Sequence, residues 1–307
     1  MKYLIVKTSS LGDILQTFPV ATYLREKSPH GILDWIVEES FAPLVEAHPA
    51  VDNVLITKRK YKIPYCFELR KKIYDIVFDL QGNCKSGALT ACAHSRAKVG
   101  YAWRDLPEWP NGFATNVKFP MPKKKNIRDD YLSLVQNYFD DFTPVKEKPF
   151  LFPLTLQEEK EIGGISEGTL ICAGAAWPNK CLSLKRWHAL LSKIEGPIHF
   201  VWGSEKERAF VEQLKEYGTI LPKLSLAQLQ NVMSRSRKVL CMDSLPLHLC
   251  ATTATPAFAF FGPSSLEKYL PEGFEGIQGK CPFNITFDKR CPRLRTCKSA
   301  SCMDLEA

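Results

Sequence analysis

No stretch of this 307-residue chain approaches the roughly 18 consecutive apolar residues that a membrane-spanning helix needs, so the sequence offers no candidate for one. A signal-like apolar start is also missing. Met1-Lys2 leads into a short strand-like run and then into polar Lys7-Thr8-Ser9-Ser10, and the expected location is the cytoplasm. Internal repeats and low-complexity tracts are absent as well, so organisation must be read from the order of elements. Aromatic residues do not interleave with Arg290, Arg293, Arg295 and Lys298, which argues against a base-stacking nucleic-acid binder.

What is present fits a globular enzyme: 45% hydrophobic and 24% charged residues, with length enough for two domains of about 150 residues. Basic residues exceed acidic ones by 41 to 33, a formal charge of +8. The excess is local. Lys58-Arg59-Lys60 with Lys62 forms one cluster and Lys123-Lys124-Lys125 a second. Lys289-Arg290 with Arg293, Arg295 and Lys298 forms a third. Such clusters suit an anionic partner, although solvated loop charge has the same appearance. Of eleven cysteines, seven are scattered and read as reduced, small core residues (Cys66, Cys84, Cys92, Cys172, Cys181, Cys241, Cys250). The other four, Cys281, Cys291, Cys297 and Cys302, crowd the last stretch. Their spacing is not that of a standard zinc module, and metal binding, disulfides and neither all stay open.

Short β-branched runs alternate with amphipathic stretches along the whole chain. Strands are predicted at Tyr3–Val6, Leu33–Val37, Val54–Thr57, Asp75–Asp79 and Lys98–Tyr101, with helices near 14–27, 39–47, 65–73, 85–95 and 128–140. Pro19 predicts a bend in the first helix, or a shorter one. A proline-punctuated stretch at 143–153 reads as a linker. Beyond it, strands are predicted at Thr169–Ala173, Ile198–Trp202, Lys238–Cys241 and Ala257–Phe261, with helices near 185–194, 205–216, 225–234 and 245–252. The expectation is an α/β protein with two doubly wound parallel sheets facing across a cleft, divided as 1–145, 146–280 and a cysteine-rich basic tail at 281–307.

Ligands of such sheets bind at the carboxyl ends of strands, and the marked residues fall there. Ser9-Ser10-Leu11-Gly12-Asp13 follows the first strand; Gly12 permits a tight turn, and the helix start behind it favours negative charge. Ser10-x-x-Asp13 is also the spacing of a capping box, so Asp13 has a purely structural alternative. Asp79-Leu80-Gln81-Gly82 follows the fourth strand and suits substrate contact or an ordinary turn. In the second half, Lys180 could neutralise a diphosphate, and Glu205 could accept from a ribose or complement a helix start. Met242-Asp243-Ser244-Leu245-Pro246-Leu247-His248 is the densest constellation there. Helix-start donors near Ser244 could receive phosphate, Asp243 could fix the loop, and His248 lies one turn on. Phe261-Gly262-Pro263-Ser264-Ser265 adds one more strand-to-loop turn.

Taken in order, Val6 to Asp13, Asp34-Trp35-Ile36-Val37-Glu38-Glu39, and Asp79-Leu80-Gln81-Gly82 with Lys85-Ser86 resemble glycosyltransferase family 9, the ADP-heptose:lipopolysaccharide heptosyltransferases. The resemblance implies a GT-B fold of two Rossmann-like domains, acceptor on the first and nucleotide-sugar on the second. It also implies inversion at the anomeric carbon with no cofactor and no catalytic metal. It places Asp13 as general base and Lys180, Glu205, Asp243, Ser244 and His248 at the donor, with Glu207 close to the position of Glu205. Ser10, Gly12, Lys58, Arg59, Lys60 and Gln81 are expected on the acceptor side. The implied partners are ADP-heptose, Kdo-lipid A and peripheral contact with the inner membrane, and no nucleic acid. Ala175, Ala176 and Leu245 depart from the family pattern and bear on the identity of the sugar nucleotide. The alternatives are a same-fold transferase with another donor or acceptor, and a non-catalytic anion- or nucleic-acid-binding module.

Overall fold

Near-continuous Val, Ile and Leu runs are the pattern of strands covered on both faces. In the computed structural model, which describes residues 1–58, 69–122 and 126–305, they build two six-stranded sheets. The chain divides into compact units at Met1–Lys148 and Pro149–Ala307, with the division inside the proline-punctuated stretch. Residues 281–307 belong to the second unit.

The first sheet contains β1 (Lys2–Val6), β2 (Ile32–Glu38), β3 (Asn53–Thr57), β4 (Ile73–Asp79), β5 (His94–Tyr101) and β6 (Val117–Phe119), in the order β3-β2-β1-β4-β5-β6. The second contains β7 (Thr169–Cys172), β8 (Ile198–Phe200), β9 (Thr219–Ile220), β10 (Lys238–Met242), β11 (Ala257–Phe261) and β12 (Glu275–Gln278), in the order β12-β11-β10-β7-β8-β9. All strand pairings are parallel. Read from its first strand, each unit has the same doubly wound order, which reverses between β1 and β4 and again between β7 and β10. Those reversals are the points where an open parallel sheet offers a crevice beyond its strand ends.

The helix Leu11–Lys27 continues through Pro19, so it is not the shorter helix that the sequence allowed. Pro19 is buried between Phe18 and Val20, which are fully buried, and that packing outweighs one missing intrahelical hydrogen bond. The helix Cys84–Cys92 stops short of residue 95 because His94 already pairs in β5. Of the helix predicted over 65–73, residues 65–68 lie outside the described residues; Leu69 and Arg70 are helical, and Ile73 already opens β4. In the second unit the core gathers around Trp187, Phe200 and Met242, and Met303 and Leu305 return from the chain's end to fill it. Each such buried side chain contributes about 2 kcal/mol, so this end of the chain is part of the fold rather than an appendage.

Candidate active site

In the first unit only Lys7–Ser10 separates β1 from the helix Leu11–Lys27. Asp13 occupies the third helical position. Its Oδ2 accepts from the Ser10 N–H at 3.2 Å and from the Ser10 Oγ–H at 2.7 Å, the return half of a capping box. Both bonds use one oxygen; Oδ1 accepts none among the described residues. The capping and chemical readings of Asp13 therefore do not compete for the same atom. Gly12 lies inside the first helical turn, so the tight turn expected of it is not made there.

Gln81 is also brought to this loop. Its Oε1 accepts from the Thr8 and Ser9 N–H groups at 3.2 and 3.3 Å, which ties the β4 loop to the β1 loop across the order reversal. The loop after β4 is shaped by Asp79, wholly buried. Its Oδ1 accepts from the Gln81 and Gly82 N–H groups, and its Oδ2 from Thr90 Oγ1 at 3.1 Å and Asn111 Nδ2 at 2.6 Å. Lys58 is exposed, 3.5 Å from Glu39 Oε1. Arg59 and Lys60, like Lys62 and the 123–125 cluster, lie outside the described residues.

Lys7 was not among the site residues expected from sequence, yet it is the cation of this loop. Its ammonium is buried and donates to the Leu80 carbonyl at 3.1 Å and the Tyr131 hydroxyl at 3.0 Å. Burial pushes it down to about 8, opposed by the Asp13 and Asp79 carboxylates. The available signal was a lysine directly after four buried strand residues, where a merely solvated lysine has no reason to be.

In the second unit the loops after β7 and β10 bring Lys180, Asp243 and His248 together. Lys180 and Asp243 form a buried ion pair, and the Lys180 ammonium also donates to the Asp243 carbonyl at 3.2 Å. Ser264, after β11, donates to Asp243 Oδ2 at 2.5 Å, and His248 Nε2 stands 4.0 Å from Oδ1. Burial alone would raise the Asp243 carboxyl; the Lys180 and His248 charges, with hydrogen bonds from Lys180 and Ser264, outweigh it and hold the group below its ordinary value. An ammonium has three N–H donors, and two are used here, so one is left for a ligand. Ser244 precedes the short helix Leu245–Cys250 and donates to the Gly174 carbonyl at 3.2 Å, another tie across a strand-order reversal. Pro246, in the first turn, removes one of the helix-start donors expected there.

Glu205 is not part of this cluster. It is exposed, 3.9 Å from Arg208 on its own helix. Glu207 instead turns back toward the strand ends, accepting from the Gly203 and Ser204 N–H groups at 2.6 and 3.2 Å. A Cβ at position 174 would lie 2.3 Å from its carboxyl carbon, so Gly174 is what admits Glu207 to the loop after β7.

The family model for glycosyltransferase family 9 (heptosyltransferase) matches residues 66–275, more than half of the chain. The chain belongs to that family. Among curated relatives, lipopolysaccharide heptosyltransferase 1 of Pseudomonas aeruginosa is 27% identical over 312 positions, covering 95% of this chain and 85% of that protein. The enzyme of the same name from Campylobacter coli is 29% identical, with 85% and 84% covered. Among solved structures, E. coli heptosyltransferase WaaC with ADP-2-deoxy-2-fluoro heptose has a TM-score of 0.74 at 26% identity, covering 91% of this chain and 94% of that one.

The transferase's four late cysteines line one pocket, together with Asn179, Pro263 and Phe283 among others. All four are free thiols, and burial, then the neighbouring Cys281, Cys297 and Cys291, push Cys302 up to about 11. Among the described residues no three His, Cys, Asp or Glu side chains are placed to hold a metal ion.

Proposed function

We propose that this glycosyltransferase moves heptose from ADP-heptose to the Kdo region of lipid A during synthesis of the lipopolysaccharide core, inverting the anomeric carbon. The observation that carries the reading is the buried Lys180–Asp243–Ser264 cluster at one sheet's order reversal, matched by Asp13 at the other's. The relatives' names and the ADP-heptose analogue held by the E. coli enzyme support the donor. The acceptor hydroxyl attacks the anomeric carbon as its bond to the diphosphate oxygen breaks. Asp13 Oδ1 takes the hydroxyl proton, and ADP leaves with the bonding pair. The remaining Lys180 N–H meets the charge that develops on the diphosphate, with the Ser244 loop beside it. Glu207 rather than Glu205 is the carboxylate placed for a ribose, because it faces the strand ends. Lys58, Arg59 and Lys60 are assigned to the acceptor's phosphates and carboxylates, which are their charge complement.

The test is transfer by purified protein from ADP-heptose to Kdo-lipid A, with Asp13→Asn beside it. Turnover is expected from the wild type and not from the variant. Calorimetry with a panel of nucleotide-sugars tests the donor, and tighter binding of another sugar nucleotide would overturn that assignment.

A further inference from the structure

Between β5 and β6 the first unit exposes three large aromatic side chains within eleven positions: Trp103 at 50%, Trp109 at 65% and Phe113 at 77%. They are not loose. Phe113 packs edge-to-face on both tryptophans, with ring centroids 5.2 Å from Trp103 and 5.9 Å from Trp109. Trp103 also lies against Gly112, where a Cβ would come within 2.4 Å of the indole. The loop beneath is anchored by Asn111, which is buried and donates to Asp79 Oδ2, the Asn83 carbonyl and Ser86 Oγ at 2.6, 3.0 and 3.2 Å. An organised apolar surface left in water calls for an occupant.

Charge indicates which. The two acids nearby are turned onto backbone donors: Glu108 accepts from the Cys84 N–H at 2.7 Å, and Asp105 from the Met121 N–H at 3.0 Å. The cations stay at the rim. Arg104, 78% exposed, lies 3.6 Å from Asp105 Oδ2, and the Lys118 ammonium donates to the Thr115 carbonyl and sits 5.3 Å from the Trp103 ring centre. Indole and phenyl rings bordered by Arg and Lys are the composition that settles at the headgroup level of an anionic bilayer. Position agrees with composition. Asn111 and Gln81 both reach the Asp79 loop, and Gln81 bonds the Thr8–Ser9 backbone beside Asp13. The aromatic loop and the loop of the assigned base thus share one scaffold.

We propose that Trp103, Trp109 and Phe113 form the surface by which the transferase docks on an anionic phospholipid membrane, next to the site that receives its acceptor. The choice of a bilayer as occupant rests on the lipid acceptor proposed above. The full-length protein is tested by flotation with vesicles of phosphatidylethanolamine and phosphatidylglycerol, against phosphatidylcholine alone. Wild type is expected to float with the anionic vesicles, with a blue shift of tryptophan emission. Trp109→Ala with Phe113→Ala should lose roughly tenfold or more of that partitioning. It should keep transfer to a deacylated Kdo acceptor while losing transfer to vesicle-embedded Kdo-lipid A. Arg104→Glu, which leaves the rings in place, should weaken flotation with anionic vesicles only. Wild type that stays in solution would overturn the proposal, as would equal flotation of both variants. So would a wild-type dimer, without vesicles, that the double variant dissolves, since a second copy would then cover the patch. Wild type that floats but transfers heptose to neither acceptor would uphold the docking surface and remove the proposed function instead.

Discussion

Asp13 Oδ2 takes both hydrogen bonds from Ser10, N–H and Oγ–H, and among the described residues Oδ1 accepts none. One carboxylate can therefore hold a helix start and still offer an oxygen to a substrate proton. Asp13→Asn keeps a carbonyl oxygen for the Ser10 donors, so its stability should stay within about 1 kcal/mol of wild type. Its turnover should fall by roughly 100- to 10,000-fold, the range of a lost general base. Ser10→Ala should show the reverse, a small loss of stability with most turnover kept. The thermal midpoint and kcat of each variant check this, and an active Asp13→Asn would return the residue to capping alone.

The buried Lys180–Asp243 pair invites a different test. Lys180→Met strands a buried carboxylate beside the Ser264 hydroxyl, and is expected to cost about 3 kcal/mol in urea unfolding. ADP affinity should drop as well, because the spare ammonium donor is gone. Combining Lys180→Met with Asp243→Leu removes both charges and should recover much of the stability, but none of the affinity. Calorimetry with ADP decides: a double variant that binds ADP as wild type does would make the pair structural only.

The interior of both sheets was legible because buried parallel strands must be apolar throughout, as in Tyr3-Leu4-Ile5-Val6 or Ala257–Phe261. The strands that escaped prediction, β6, β9 and β12, are all sheet edges of two to four residues, and Thr219–Ile220 or Glu275–Gln278 carries no apolar run to announce it. The helix Leu156–Ile162 escaped too, although Thr155 and Glu158 form a capping box with the expected spacing. At the site, loop identity was readable from polar residues following apolar strands. Side-chain direction was not. Glu205 and Glu207 differ only in which side of one short helix they occupy, and no spacing rule reveals that Gly174 leaves room for the second. Lys7 was hidden for a related reason: burial beside two carboxylates is a tertiary fact.

Lys7 carries a pH signature. Its folded-state value of about 8 lies below the ordinary 10.5, so the folded protein releases this proton first as pH rises. Between about 8 and 10.5 the unfolded chain binds more protons here, and this group's contribution to stability increases with pH. Function should move the other way. Losing the ammonium removes a buried positive charge that Asp13 and Asp79 both feel, so turnover is expected to decline with a midpoint near 8 while the fold holds. Lys7→Met should turn over more slowly and lack that alkaline limb. An unchanged limb in the variant would assign it to another group.

His48 sets the acid side of the first unit's stability. Its ring is buried, packs at 4.5 Å on Phe18, and accepts the Ala50 N–H on Nδ1 at 3.2 Å. Burial pushes the imidazole down to about 4 from its ordinary 6.5. Above 6.5 neither state is protonated and the contribution is complete. As pH falls from 6.5 toward 4 the unfolded chain takes up a proton that the folded one refuses, and stability is lost. The loss should be about 2 kcal/mol by pH 5 and about 3 kcal/mol when complete. Urea unfolding of wild type and His48→Gln at pH 7 and pH 5 isolates the group from every other carboxylate and imidazole. The glutamine variant should be the less stable at pH 7, and the gap should close by about 2 kcal/mol at pH 5. A gap that stays constant would mean that the folded protein accepts the proton at His48.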